Sequence, residues 1–265
     1  MVTVRNGRSF GAAPAWAVAG LCVAALVWGV SCGGGSPKPG PREDGPLHAY
    51  QLSRVFFEQG RIDQALEQIE ISLRRDDSIP QTHFFKGYIY WSMDRWEQAE
   101  AAFRSALEIH GHYTNARNFL ADCLAKMGRH QEALEQLEVA LRDQAFPNRE
   151  KLHLNRSMVY QELGRLEDAL DALRAAVAEE PRYYPAHYEM ARLLEELRRP
   201  DQALQAYESA APGFREDPEF QLDYGSALFR AGDTDQARVR LRRVLDLAPG
   251  SHAAERAREL LEVIG

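Results

Sequence analysis

Residues 163–176 read LGRLEDALDALRAA, and their pattern recurs through most of the chain. Gly164 suits the left-handed turn just past one helix. Ala169, Leu173 and Ala176 then alternate small and large side chains along the next helix. Alanines in the register of Ala169 follow one another at spacings of 34, 34, 36, 34 and 34 residues: Ala65, Ala99, Ala133, Ala169, Ala203 and Ala237.

A period close to 34 residues is the mark of the tetratricopeptide repeat, in which each unit is a helix–turn–helix. We therefore predict an all-α fold, a right-handed superhelical tetratricopeptide-repeat solenoid. Six helix–turn–helix units would occupy residues 47–249, and a capping helix would occupy residues 250–265. Each unit of such a solenoid contacts only its neighbours. The usual work of this scaffold is to bind another polypeptide.

Small and large side chains alternate at fixed positions when the register alanine is counted as position 20 of each unit. Positions 8, 20 and 27 are small, whereas positions 11 and 24 are large. Small side chains let paired helices approach closely, and a leucine there would overpack the crossing. We expect the large residue at position 24 to fill the gap that the small residues leave. The units begin at Pro46, Pro80, Thr114, Glu150, Tyr184 and Pro218.

Local signals predict where helices begin and end. Pro200 fits the first turn of a helix, where its missing N–H is not needed. Ser251 is a plausible N-cap for the last helix. Two extra residues between the third and fourth units predict a longer loop at residues 144–148. Position 15 is glycine, suited to a left-handed conformation, in four units: Gly60, Gly128, Gly164 and Gly232.

Position 7 is charged in two units, where the pattern expects an apolar residue. These residues are Lys86 and Arg156. Either their stems lie along the surface with the charges in water, or their units are locally distorted.

The N-terminus has the order of an export signal. Arg5 and Arg8 precede an uncharged, mostly apolar run over residues 15–30, and the sequence Gly-Val-Ser-Cys ends at Cys32. This resembles a bacterial lipobox, which implies a lipoprotein signal peptide over residues 1–31, cleavage before Cys32 and lipidation of that cysteine. An uncleaved signal anchor and simple secretion are the alternatives, since the apolar run, counted from Phe10, is just long enough to span a bilayer.

Residues 32–46 predict a flexible or extended tether, because they are rich in glycine and proline and offer nothing apolar to bury. The residue after Cys32 is glycine rather than aspartate, and by the usual bacterial sorting pattern this implies the outer membrane. The predicted localisation is therefore lipid-anchored, on the periplasmic face of the outer membrane.

The first helix of each repeat lines the concave face in tetratricopeptide folds, and positions 2, 5, 9, 12 and 13 point into it. The first two units place aromatic rings there, and an apolar patch rimmed by polar residues usually marks an interaction site. The alternative is that these rings pack against each other or against a folded-back tether. Leu222 falls in the same register in the sixth unit. The predicted partner-binding groove comprises Tyr50, Phe57, Phe84, Tyr88, Trp91, Asn118, Leu154, Met158 and Tyr188.

The sequence offers no convincing catalytic or metal-binding set, so we predict neither an enzyme nor a cofactor beyond the covalent lipid on Cys32. His110 and His112 are two imidazoles in a predicted loop, which is weak evidence for a metal. Cys123 is predicted to be a small buried apolar residue. The net charge of −7 argues against a nucleic-acid partner, which normally meets a basic stripe.

The chain from about Gly45 onward resembles the bacterial type IV pilus biogenesis/stability lipoproteins, the secretin pilotins known as PilF, PilW or Tgl. The resemblance is carried by Asp143-Gln144-Ala145-Phe146-Pro147-Asn148-Arg149, by Asn155, by residues 163–169 and by the lipobox. It implies a non-enzymatic protein that escorts the pilus secretin to the outer membrane and assists its multimerisation. Its partner would be a secretin subunit or an amphipathic segment of it.

A general periplasmic lipoprotein adaptor for envelope or peptidoglycan assembly enzymes is the competing hypothesis. An enzyme regulator held in the periplasm is a third.

Overall fold

The computed structural model describes residues 45–265, and Cys32, the leader and most of the predicted tether lie outside the described residues. Within this part of the chain all regular structure is helical. A short 3₁₀ turn, Ala211–Gly213, follows the tenth of thirteen α-helices. The helices are α1 Pro46–Glu58, α2 Ile62–Arg75, α3 Pro80–Ser92, α4 Trp96–Ile109, α5 Thr114–Lys126, α6 His130–Ala140, α7 Arg149–Glu162, α8 Leu166–Glu179, α9 Tyr184–Glu196, α10 Pro200–Ala210, α11 Pro218–Arg230, α12 Thr234–Leu247 and α13 His252–Ile264.

Consecutive helices pair into six helix–turn–helix units, and each unit packs mainly on the next one along the chain. This order of contacts confirms the predicted repeat solenoid. The six register alanines are all buried, with at most 1% of their surface exposed.

The small residues at position 8 allow the close crossing that the sequence predicts. A Cβ atom on Gly87 would lie 2.7 Å from the ring of Phe103, the large residue at position 24 of the same unit. A Cβ atom on Gly225 would lie 3.0 Å from Leu241, which holds the same relationship in the sixth unit. In the first unit the hydroxyl of Ser53 donates to the carbonyl of Ala65 across the crossing, at 2.7 Å.

The turn inside each unit contains one residue in the left-handed conformation. The four glycines predicted for this role have φ between 69° and 87°. The other two units use non-glycine residues at the same position, Asp94 with φ 57° and Arg198 with φ 58°. A left-handed residue is therefore required by the turn in every unit.

The longer connection between the third and fourth units spans residues 141–148, because α6 ends three residues earlier in its unit than α4 does. Arg149 ties this loop down by donating to the carbonyls of Leu141 and Asp143 at 2.8 and 3.1 Å. The side chain of Phe146 packs on the core of the third unit. The loop is thus held at both ends.

The thirteenth helix closes the C-terminal end of the repeats. Ser251 is its N-cap, as predicted, and accepts a hydrogen bond from the amide of Ala254 at 3.2 Å. Ala254 and Ala257 are completely buried against α11 and α12 in a cluster that includes Leu222. Leu222 is only 1% exposed, so its assignment to the groove is wrong: α13 covers that position in the last unit.

The two charged residues at position 7 are accommodated in different ways. Lys86 lies partly exposed, and its amine pairs with the carboxylate of Glu70 on α2 at 2.6 Å. Arg156 is half-buried, and its Nε atom is buried without a hydrogen-bond partner. Neither residue interrupts its helix.

Candidate partner-binding surface

The first helices of successive units lie side by side, and their side chains at positions 5, 9, 12 and 13 form one surface, which we call the inner wall. Contacts join α3 to α5 and α5 to α7, and side-chain interactions join α1 to α3 and α9 to α11. The predicted groove residues all lie on this wall. Each of them is half-buried rather than free in solvent: Tyr50, Phe57, Phe84, Tyr88, Trp91, Asn118, Leu154, Met158 and Tyr188.

The rings of the first two units pack against each other, as the alternative interpretation had it. Phe57 lies 5.7 Å from Phe85 and 5.5 Å from Tyr88, measured between ring centroids. Tyr88 stacks on Trp91 at 5.7 Å with 18° between the ring planes. Since Phe57, Tyr88 and Trp91 also keep an exposed part whereas Phe85 is buried, the cluster is both a structural core and an apolar patch on the inner wall.

Phe119 on α5 joins these rings to the third unit. Its ring lies 5.1 Å from that of Trp91, 5.5 Å from Tyr88 and 5.6 Å from Phe84. Phe84 also contacts Phe103 of α4 at 5.6 Å. The cluster therefore extends over α1, α3, α4 and α5, and no single ring is an isolated anchor.

Trp91 makes a polar link as well. Its indole Nε1 donates to Oδ2 of Asp122 on α5 at 2.5 Å. Burial raises the pKa of Asp122, and the Trp91 hydrogen bond and the Lys126 ammonium act in the opposite direction. Burial lowers the pKa of Lys126, and the carboxylates of Asp122, Asp94 and Glu162 oppose that change. The inner wall thus changes from aromatic to charged at α5.

The wall continues through α7 with a polar bridge and an apolar surface. Asn155 on α7 donates its amide to Oδ1 of Asn118 at 2.8 Å. Leu154 packs on the core of the C-terminal units. Met158 is half-buried at position 9, and an unbranched thioether adapts well to different apolar ligands.

Tyr188 belongs to a second group of rings, at the fifth and sixth units. Its hydroxyl donates to Oδ2 of Asp223 on α11 at 2.8 Å. Burial, followed by the nearby carboxylate of Asp223, raises the pKa of this phenol. Its ring lies 5.1 Å from both Phe214 and Phe220. Tyr188 therefore joins α9 to α11 and is half-buried on the wall.

Sequence reasoning missed the partners that hold these residues. Phe119, Asn155 and Asp223 all stand at position 6, which the register did not assign to the wall. One pattern could have revealed these partners. In each case a polar or aromatic residue at position 6 of one unit faces a polar or aromatic residue at position 5 or 12 of the preceding unit. Cys123 is completely buried, as predicted, and burial raises the pKa of its thiol.

Residues 45–265 contain no cluster of three or more His, Cys, Asp and Glu side chains suited to a metal ion. In the same range, no helix has both the length and the apolar character needed to cross a bilayer. His110 and His112 lie exposed in the turn between α4 and α5.

Family models of the tetratricopeptide repeat match residues 50–112, 90–153 and 150–183. A model of YpiA-like C-terminal tetratricopeptide repeats matches residues 185–251. These matches cover nearly all of the six helix pairs, so the chain is a tetratricopeptide-repeat protein.

Three known proteins show what this chain is similar to. The TPR repeat-containing protein YpiA of Bacillus subtilis is 23% identical over 194 residues, which is 72% of this chain and 45% of YpiA. The chain thus spans less than half the length of that relative. PilF of Pseudomonas aeruginosa is 21% identical, with a TM-score of 0.71 over 84% of this chain and 99% of its own. The solved structure of PilW, a type IV pilus biogenesis factor, is 20% identical, with a TM-score of 0.72 over 79% of this chain and 96% of its own.

Proposed function

We propose that this protein is a lipid-anchored pilotin that binds the type IV pilus secretin and assists its localisation to the outer membrane and its multimerisation. The tetratricopeptide scaffold is a protein-binding fold, and the protein acts without catalysis. The observation that carries the proposal is the match to PilF and PilW over nearly their whole lengths, 99% and 96%, at the level of the fold. The lipobox-like sequence ending at Cys32 supports it independently.

The inner wall is the surface proposed to hold the secretin segment. An amphipathic helix binds in a groove through a few large apolar anchors. The half-exposed rings of Tyr88 and Trp91 in the second unit and the side chains of Leu154 and Met158 in the fourth unit offer such contacts. The charged residues Asp122 and Lys126 between them would fix the orientation of the segment.

Cys32 is the proposed anchor. Its thiol and its new amino group would carry acyl chains after cleavage, and several chains hold a protein firmly in a bilayer where one chain binds only marginally. Mass spectrometry of the mature N-terminus tests this step. An unmodified chain that begins at Met1 would contradict it.

A deletion strain tests the function. Without the protein, we expect secretin multimers to be lost from the outer membrane, and the wild-type gene to restore them. Cys32→Ser should leave the soluble body intact but mislocalise the secretin. If multimers form at the outer membrane in the deletion strain, the pilotin function is wrong and the general envelope adaptor becomes the better hypothesis.

A further inference from the structure

The first unit leaves uncovered a face that every later unit buries. Position 10 is 44% exposed at Val55. Position 3 is partly exposed at His48 but completely buried in the other five units. The residues equivalent to Val55 are nearly or completely buried: Ile89 0%, Cys123 0%, Val159 3%, Leu193 1% and Ala227 5%.

In the later units this face is covered by the second helix of the preceding unit, since α2 packs on α3, α4 on α5 and α8 on α9. Ile89 shares a core cluster with Ile69 of α2, and Cys123 shares one with Phe103 of α4. The face around Val55 and Leu52 therefore has the position at which, in later units, one more α-helix packs.

The two ends of the repeats differ. At the C-terminal end, α13 provides the cover, and its exposed residues are mostly charged. Upstream of Gly45, residues 33–44 read GGGSPKPGPRED and hold no large apolar side chain that would cover Val55. The apolar part of the N-terminus lies before Cys32 and is removed under the proposed processing. With the leader removed, another molecule is left to supply the cover.

Position 16 is arginine in the first five units, and in two of them it pairs with a carboxylate of the preceding unit. Arg129 pairs with Glu100 on the second helix of the preceding unit at 2.8 Å, and Arg199 pairs likewise with Glu167 at 2.5 Å. Both glutamates lie in the first two turns of their helices. Arg165 pairs instead with Asp168 of its own unit at 2.7 Å, and Arg95 pairs with no carboxylate within residues 45–265. The arginine of the first unit, Arg61, lies over the ring of Phe56 and donates to Gln59, and no carboxylate pairs with it within residues 45–265.

We infer that this N-terminal edge, formed by His48, Leu52, Val55 and Arg61, docks an amphipathic helix of the partner. The helix takes the place of a preceding second helix, covers Val55 with its apolar face and pairs a carboxylate in its first two turns with Arg61. The inference rests on the proposed function and adds to the inner wall a second contact, on the first of the six units.

The test measures binding of purified secretin to the full-length protein by surface plasmon resonance. Val55→Glu places a charge under the docked helix, and Arg61→Glu repels its carboxylate. Each is expected to weaken binding by about tenfold or more, because Val55→Glu buries an unpaired carboxylate and Arg61→Glu places two carboxylates against each other. Arg61→Lys should retain most of it. Matched controls on α12 are Val239→Glu and Arg242→Glu, at exposed positions away from the edge.

Circular dichroism confirms that each variant is folded before binding is compared. If the edge variants and the α12 controls all bind as the wild type does, the edge inference is overturned while the pilotin function stands. If the wild-type protein does not bind the secretin, the proposed function fails, and the edge inference falls with it.

Discussion

The indole of Trp91 donates a hydrogen bond to the half-buried carboxylate of Asp122, thirty-one residues further along the chain, at 2.5 Å. This bond joins the first helices of the second and third units across the inner wall. Trp91 was predicted as a partner-binding residue, and the structure gives it a second role in holding the wall together. A variant that removes Trp91 would therefore confound binding with stability.

The stability role of Trp91 is separable. Trp91→Phe keeps a ring stacked on Tyr88 but removes the N–H that satisfies Asp122, and hydrogen bonds to charged groups contribute about 1.5–3 kcal/mol. We expect the free energy of unfolding in urea to fall by about 1–2 kcal/mol. Trp96→Phe is the control, since its indole packs in the same core and makes no hydrogen bond within residues 45–265. Equal losses in the two variants would show that the bond to Asp122 contributes nothing.

The crossing at Gly87 is expected to reject even one methyl group. Gly87→Ala gains about 1 kcal/mol of helix propensity, but its Cβ would lie 2.7 Å from the Phe103 ring. Overpacking costs about 1–3 kcal/mol, so urea denaturation should show a net loss. Phe103→Leu should partly relieve it in the double variant. Gly225→Ala, where the nearest atom is 3.0 Å away, should cost less; the reverse order would contradict the packing account.

Replacing a left-handed glycine by alanine should destabilise the protein, and replacing a left-handed arginine by glycine should stabilise it. Gly128→Ala meets no atom within 4 Å, so its cost is purely conformational, about 1 kcal/mol. Arg198→Gly removes the same strain at φ 58° but increases the entropy of the unfolded chain. We expect it to raise the melting temperature slightly. A lower melting temperature would mean that Arg198 makes stabilising contacts that outweigh its strain.

His153 predicts a pH dependence of stability. Its imidazole is 8% exposed and lies between Arg149, Arg156 and Glu179. Burial, followed by the neighbouring arginines, lowers its pKa from 6.5 to about 4, although Glu179 opposes this. The unfolded state therefore binds more protons between these two pH values, and the free energy of unfolding falls as the pH is lowered.

The loss attributable to His153 is at most about 3 kcal/mol by pH 4, at about 1.4 kcal/mol per pKa unit. Other carboxylates titrate in the same range, so the measurement is the difference between the wild type and His153→Gln in urea at pH 7 and pH 4.5. Relative to the wild type, the free energy of unfolding of His153→Gln should be higher at pH 4.5 than at pH 7. Parallel pH profiles for the two proteins would show that His153 is not the titrating group.

Much of the fold follows from the sequence, because a short repeat fixes both the helix pairs and their packing. The register of Ala169 and Gly164 predicted the crossings and the left-handed turns, and Ser251 predicted the start of α13. Asp94 and Arg198 were not predicted because neither is glycine, the residue type by which the left-handed position was recognised; the repeat imposes the conformation on them. Leu222 was misassigned because the register describes an internal unit, whereas α13 packs on the last one.

The site was less predictable. The register places Phe57 and Tyr88 on the inner wall, but it does not tell whether two rings on adjacent helices turn toward each other or toward solvent. That choice depends on side-chain rotamers and on partners such as Phe119, which is 31 residues from Tyr88. The same limit applies to Tyr188 and Asp223, whose pairing depends on the angle between α9 and α11.

The central claim is that the inner wall binds the secretin, and Met158 is the most direct probe of it. Met158→Glu places a charge at position 9 without touching the aromatic cluster or the Trp91–Asp122 bond. Leu163→Glu, at a 40% exposed residue in the turn of the same unit, is the matched control. Isothermal titration of the full-length protein with purified secretin should show binding at least about tenfold weaker for Met158→Glu and unchanged for Leu163→Glu. Wild-type affinity in Met158→Glu would contradict the claim.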